Sequence, residues 1–200
     1  IRRIIHSPER LPQPVVTAIE DKNFQPYISV TRDAEAGSFR MWYNTGESFS
    51  QSHLAHITSK DGIHWNRPHE ELTDPSFIQF GASVLDEGRD FSKPDHRYKF
   101  AFWARNENGI GGLKIAVSSN GLEWSMLRSG VLLPHNHDIN SLHWDPIRRH
   151  YIAFASVSIF EGPTWSGSRR RIPHQSVSKD LIHWEEPWAI VLPEKGEQGE

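Results

Sequence analysis

The 200-residue chain contains no cysteine, which excludes disulfides and thiolate-bound metals. It has no apolar run near the length of a membrane span, and its basic residues form no stripe that could track a nucleic-acid backbone. With a formal net charge of −3, neither a membrane nor a nucleic acid is an expected partner. Ile1 to His6 lacks the charged-then-apolar layout and the small-residue cleavage site of a secretory signal. The chain opens on Ile rather than Met, so localisation is left unread. The Gly-rich stretch "NGIGG" (Asn108 to Gly112) reads as a hairpin loop rather than a phosphate cradle, and no Ser nucleophile elbow is present, so no cofactor is expected. Helical periodicity is scarce as well.

What is present is repetition. The chain spells "SKDGIHW" at Ser59 to Trp65, "SSNGLEW" at Ser118 to Trp124 and "SKDLIHW" at Ser178 to Trp184. The three Trp stand 59 and 60 residues apart, and self-similarity at a fixed period signals a repeat architecture. The likeness extends upstream. An aromatic run precedes each copy ("FRMWYN", "YKFAFWA", "YIAFAS"), and before that comes a short apolar run closed by Asp33, Asp86 or Asp145. The apolar runs are rich in Val, Ile, Phe, Tyr and Trp and are bounded by Gly, Pro, Asn, Asp and Ser, which reads as strands and turns. Expected strands include Tyr27–Val30, Arg40–Tyr43, Leu54–Thr58, Phe100–Ala104, Leu113–Val117, Leu142–Trp144, Tyr151–Ala155 and Ile172–Val177.

Four strands per unit of about 60 residues describes a blade of a β-propeller with one long loop. The expected fold is therefore all-β: a single, partial β-propeller domain over 1–200, with about three complete four-stranded blades at 24–68, 77–130 and 137–193. A β-sandwich would not explain the period. Propellers close with about four or more blades, so a piece of a longer chain, or an irregular closure, is expected. Ile1 to Asn23 reads as the end of a preceding element and Glu194 to Glu200 as an exit.

In each unit "S-x-(D/N)-G" would form the tight turn between the third and outermost strands, since Asp or Asn can bond nearby backbone N–H groups and Gly tolerates positive φ. The third copy carries Leu181 at the Gly position, which implies another turn type or some strain. The Trp after each turn is expected to fill the wedge between neighbouring blades. A hairpin Asp in every unit (Asp33, Asp86, Asp145) reads as a turn device. His64 and His183 recur inside the repeat, so part of the histidine content is architectural.

The units resemble blades of the five-bladed propellers of glycoside hydrolase families 32, 43 and 68. The order "RRIIHSPERLPQPVV", "RDAEAGSFRMWY", "SKDGIHWNRP", "HDINSLHWDPIRRHYIAF", "RRRIPHQSVSKDLIHWEEP" resembles bacterial family 32-like proteins along the whole chain. The turn is also similar to the Asp box of sialidases, but is one residue shorter between Asp and Trp. The resemblance implies a glycoside hydrolase-like protein that takes a sugar or oligosaccharide in the propeller funnel. Family 32 enzymes use a nucleophilic Asp in an "NDPNG"-type motif and a general-acid Glu in an "EC"-type motif, and this chain has neither. A non-catalytic carbohydrate-binding propeller and a protein-interaction scaffold are the alternatives.

Residues that open the innermost strands face a propeller's funnel. The segments "DKNFQPY", "PSFIQFG" and "NHDINSL" supply Asn23, Gln25, Gln79, His137, Asp138 and Asn140 as candidate binding residues. Asp138 is the candidate catalytic carboxylate, because the resemblance places it where the family's second Asp holds negative charge near the transition state. It lies seven residues before Asp145, as Gln79 lies seven before Asp86, so the two are expected to occupy equivalent funnel positions, with Asp138 in reach of Asn23, Gln25 or Gln79. Trp165, outside the repeat, is a candidate sugar-stacking aromatic. Of Arg169 to Arg171, one is expected to approach a funnel carboxylate. His135 and His137 with Asp138 lack a further ligand at a recognised spacing, so no metal is expected.

Overall fold

A computed structural model describes residues 4, 6–17, 19, 25, 27–34, 36–48, 51–138, 140–162 and 169–193. Thirteen strands occur among them, with one short 3-10 turn (Pro94–His96) and no α-helix. The first sheet runs β1 (Ile28–Asp33), β2 (Ser38–Ser48), β3 (Gln51–Ser59) and β4 (Glu70–Glu71). The second runs β5 (Phe80–Asp86), β6 (Tyr98–Arg105), β7 (Gly111–Ser118) and β8 (Ser125–Met126), and the two-residue β9 (Leu133–Pro134) also pairs with β7. The third runs β10 (Asn140–Asp145), β11 (His150–Ile159), β12 (Arg170–Ser178) and β13 (Trp188–Ala189). Every pairing is antiparallel and joins chain neighbours, apart from the added β7–β9 pair. This is the partial β-propeller expected from the repeat. The eight expected strand segments fall within β1, β2, β3, β6, β7, β10, β11 and β12, except that Tyr27 stands just before β1.

The innermost strands β1, β5 and β10 lie side by side, tied by serine hydroxyls. Ser29 Oγ donates to Ala82 O (2.6 Å) and accepts from Val84 N (2.8 Å), and Ser83 Oγ accepts from Leu142 N (3.0 Å). A strand alternates its faces, so each sheet can bury one face against each neighbour. One apolar cluster joins the first two sheets through Trp42, Leu54, Ile78, Phe100 and Phe102. A second joins the second and third through Ala101, Leu113, Ile115, Leu142, Tyr151 and Leu181. A smaller one, Met41, Tyr43, Ala55 and Ile57, occupies the other face of the first sheet, with Val16 against it.

The recurring turn is built identically three times. Ser59 Oγ accepts from Gly62 N (2.9 Å), while Asp61 Oδ1 accepts from Ile63 N (2.8 Å) and His64 N (2.7 Å). Ser118 with Asn120, and Ser178 with Asp180, repeat the pattern. His64 and His183 reach back to Asp61 and Asp180, each at 2.7 Å. Leu181 keeps this turn type and adopts φ 68, so the third copy carries the strain rather than a different geometry. Trp124 and Trp184 sit against the two inter-sheet clusters, and Trp65 against the first sheet's other face. The hairpin aspartates accept backbone amides: Asp33 from Ala36, Asp86 from Gly88, Asp145 from Ile147 and Arg148.

Candidate functional site

The openings of β1, β5 and β10 converge at one end of the sheets. There the phenol of Tyr27 donates to Oδ2 of Asp138 at 2.9 Å, spanning from the first sheet to the third. His137 Nδ1 lies against Oδ1 of the same carboxylate, a contact that becomes an ion pair when the imidazole is protonated, and the Asp138 side chain is 25% exposed. Asp138 is thus hydrogen-bonded through Oδ2, with Oδ1 against the His137 ring, and is still partly exposed. Burial, and then the hydrogen bond to Asp138, push the Tyr27 phenol well above its ordinary pKa, while the charge of Arg171 acts to lower it. Arg171 is therefore the member of the arginine run whose charge is felt at this cluster. Tyr27 meets Phe80 edge-on at 6.5 Å, and Phe80 meets Trp103 at 5.9 Å, so an aromatic row backs the carboxylate.

Buried polar groups with spare hydrogen-bonding capacity lie at the same end. Asn140, the first residue of β10, is buried, and neither side-chain polar atom is bonded among the described residues. Asn44 follows Tyr43, the partner of Ile28, so it stands beside Tyr27 in register; it is fully buried with both amide atoms unbonded. Gln25 is buried with its Oε1 unbonded. Such groups normally find partners, and a polyhydroxylated ligand supplies them.

Among the described residues the hydrogen bond to the Asp138 carboxylate comes from Tyr27, and the side chains of Gln25 and Gln79 bond elsewhere. Gln25 Nε2 donates to Gln79 O (3.2 Å), and Gln79 Oε1 accepts from Arg105 N (2.8 Å), which turns the Gln79 amide away from the Asp138 group. The cause is a bulge. Phe80 pairs with Trp103 and Ser83 with Ala101, so one strand gains a residue, with Gly81 at φ 99. An inserted residue reverses the facing of everything beyond it, so the equal spacing of Gln79 and Asp138 does not give equal orientation. Asn23 and Trp165 lie outside the described residues. Tyr27 and Asn44 were not singled out from sequence, because each reads as a member of an aromatic strand run.

His135 is buried, with Nδ1 3.3 Å from Ser156 O; burial lowers its pKa to about 4, so it is neutral at pH 7. Among the described residues no three His, Asp or Glu side chains converge as metal ligands. The residues named as opening the three innermost strands include one carboxylate, Asp138. Two clefts of about 700 and 680 Å³ flank the second sheet, and neither is lined by Asp138.

No protein-family model matches the chain, and no curated protein is similar enough to match. Solved structures do resemble it. A family 32 β-fructofuranosidase from Bombyx mori, in complex with sucrose, superposes with TM-score 0.55 at 15% identity, covering 82% of this chain and 34% of its own. A thermostable family 43 glycoside hydrolase gives TM-score 0.61 at 10% identity, covering 88% and 57%. The chain shares their fold. An N-acetylgalactosamine deacetylase from F. plautii, in complex with blood group B trisaccharide, also resembles it, with TM-score 0.52 at 17% identity over 89% and 56%. The chain thus spans between a third and just over half of the length of these proteins.

Proposed function

We propose that the chain is part of a carbohydrate-active propeller of the glycoside hydrolase kind, five-bladed in its full form, that takes a sugar or oligosaccharide where the innermost strands open. The observation that carries this reading is Asp138: a carboxylate two positions ahead of the inner strand β10, hydrogen-bonded by Tyr27, flanked by His137 and partly exposed. A fixed carboxylate there would stabilise an oxocarbenium-like transition state without reorganising as charge develops. The side-chain amides of Asn140 and Asn44 and the Oε1 of Gln25, unbonded among the described residues, suit sugar hydroxyls, and Asn23 and Trp165 are proposed to complete the binding surface.

Glycoside hydrolysis requires a second carboxylate, about 5–5.5 Å away for retention or about 6.5–9.5 Å for inversion. A single carboxylate among the named strand openings favours, as the second reading, a module that grips sugar without cleaving it. The test is to measure hydrolysis and binding of sucrose and other fructosides by the full-length protein and its Asp138→Asn variant. Hydrolysis that falls by several orders of magnitude in a variant of unchanged melting temperature supports the enzyme. Saturable binding without hydrolysis, weakened by the substitution, supports the binding module. Neither binding nor hydrolysis of any fructoside or other oligosaccharide tested would overturn both.

A further inference from the structure

The 680 Å³ cleft holds a buried cation that the Asp138 site does not use. Lys114 lies on β7 opposite Phe102. Its neighbours Leu113 and Ile115 belong to the cluster facing the third sheet, so Lys114 projects toward the first. Its relative exposure is 8%, no hydrogen bond or ion pair to its amino group is found among the described residues, and the nitrogen itself keeps access to the cleft. Partial burial of the side chain lowers its pKa, which an anion beside it would offset. The lysine stem could have been any apolar residue if packing were its purpose.

The rest of the lining is organised to donate. Gln79 Oε1 is taken by Arg105 N, and Asn106 Oδ1 by Asn108 N and Ile110 N, at 2.8, 3.0 and 2.9 Å. Backbone N–H groups can only donate, so these bonds set both amides with oxygen inward and leave each NH2 for an acceptor. Ser76 adds a hydroxyl that donates to Phe77 O at 3.4 Å, and Arg105 a second positive charge whose Nη1 is bonded to Gly109 O at 3.3 Å. Glu107, exposed, is the one acid in the lining. Phe77, 46% exposed, presents a ring at the rim.

We propose that this cleft is an anion site that takes a sugar-sized ligand bearing a carboxylate or phosphate, with Lys114 as its charged contact. The volume lies within the range of about 300–1,000 Å³ usual for small-ligand sites. An anionic group would pair the ammonium in a poorly hydrated place, where a charge-assisted hydrogen bond is strongest, while the amides take further oxygens. The site is separate from Asp138, so neither proposal depends on the other.

The test is calorimetric titration of the full chain with D-glucuronate, inorganic phosphate and, as a neutral control, D-glucose. Glucuronate or phosphate is expected to bind saturably and at least tenfold more tightly than glucose, the stronger of the two naming the anion. Lys114→Met, which keeps the stem and removes the charge, is expected to abolish that preference with a melting temperature equal to or above the parent. In parallel, trace acetylation of Lys114 in the unmodified protein, read by mass spectrometry, is expected to slow severalfold with the anion and not with glucose. That measurement decides the matter should the Met variant fail to fold. Equal binding of all three solutes, an anion preference that survives Lys114→Met, or no protection of Lys114 would each overturn the proposal.

Discussion

The hydroxyl of Tyr27 and the carboxylate of Asp138 meet at 2.9 Å although 111 residues separate them. The bond joins the opening of the first sheet's inner strand to that of the third, so it reports on the whole arrangement. Tyr27→Phe and Asp138→Asn, singly and together, form a double-mutant cycle. A partly buried hydrogen bond to a charged group predicts a coupling of about 1–2 kcal/mol in denaturant unfolding. Additive single effects would show that the two openings do not hold each other.

The three repeat tryptophans are not energetically equal. Trp124 and Trp184 pack against clusters built from two sheets, whereas Trp65 packs on one face of the first sheet. Trp124→Ala and Trp184→Ala are each expected to cost about 2–4 kcal/mol, below the range for full burial because both indoles are only partly buried, and Trp65→Ala less. Urea titration of the three variants checks the order, and Trp65→Ala as the largest loss would contradict it.

Gly121 and Leu181 occupy the same turn position but face different neighbours. Trp42, paired with His56, and Ala101, paired with Ile115, stand at equivalent places, each partner lying three residues before a turn serine. At Gly121 a Cβ would come within 2.9 Å of the Trp42 ring, and Trp42 Nε1 donates to Gly121 O at 2.7 Å. Beside the small Ala101 there is room, and Leu181 fills it, 4% exposed. Leu181→Gly relieves about 1–2 kcal/mol of left-handed strain but gives up roughly 1.5–3 kcal/mol of burial, so a net loss of about 1 kcal/mol is expected. Ala101→Trp should be severely destabilising alone and much less so combined with Leu181→Gly. Strict additivity would remove the size-exchange explanation.

His56 predicts a pH dependence. It is buried, accepts from Arg40 Nε at Nε2 (3.2 Å), and has Glu70 3.7 Å from Nδ1. Burial first, and Arg40 second, lower its pKa from 6.5 to about 4. The unfolded chain therefore takes up a proton that the folded one refuses. Stability is fully present above pH 6.5 and falls by about 3 kcal/mol as pH drops to about 4. His135, also lowered to about 4, adds a similar loss. His56→Gln should remove the first share alone, seen as a shallower decline of unfolding free energy between pH 6.5 and 4. An unchanged slope would mean His56 is protonated in the fold.

Much of the architecture was legible in the chain because it is written locally and three times over. The turn from Ser59 to Trp65 is specified by a hydroxyl and a carboxylate that satisfy amides two and three residues away, and nothing distant is needed to form it. The hairpin role of Asp33, Asp86 and Asp145 follows from the same short-range bonding.

What the chain alone determined, then, is the period, the strands and the turns, since each depends on bonds spanning a few residues. Tertiary structure decided which side chains face each other. The bulge between Phe80 and Ser83 turned Gln79 to Arg105, and the closing of the three sheets brought Tyr27 rather than a glutamine to Asp138. It also set Lys114, on a strand whose alternation merely says "inward", at the wall of a cleft and without a counter-charge among the described residues. Facing depends on the parity of residues through each irregularity and on contacts between segments up to 111 positions apart, and no local pattern carries either.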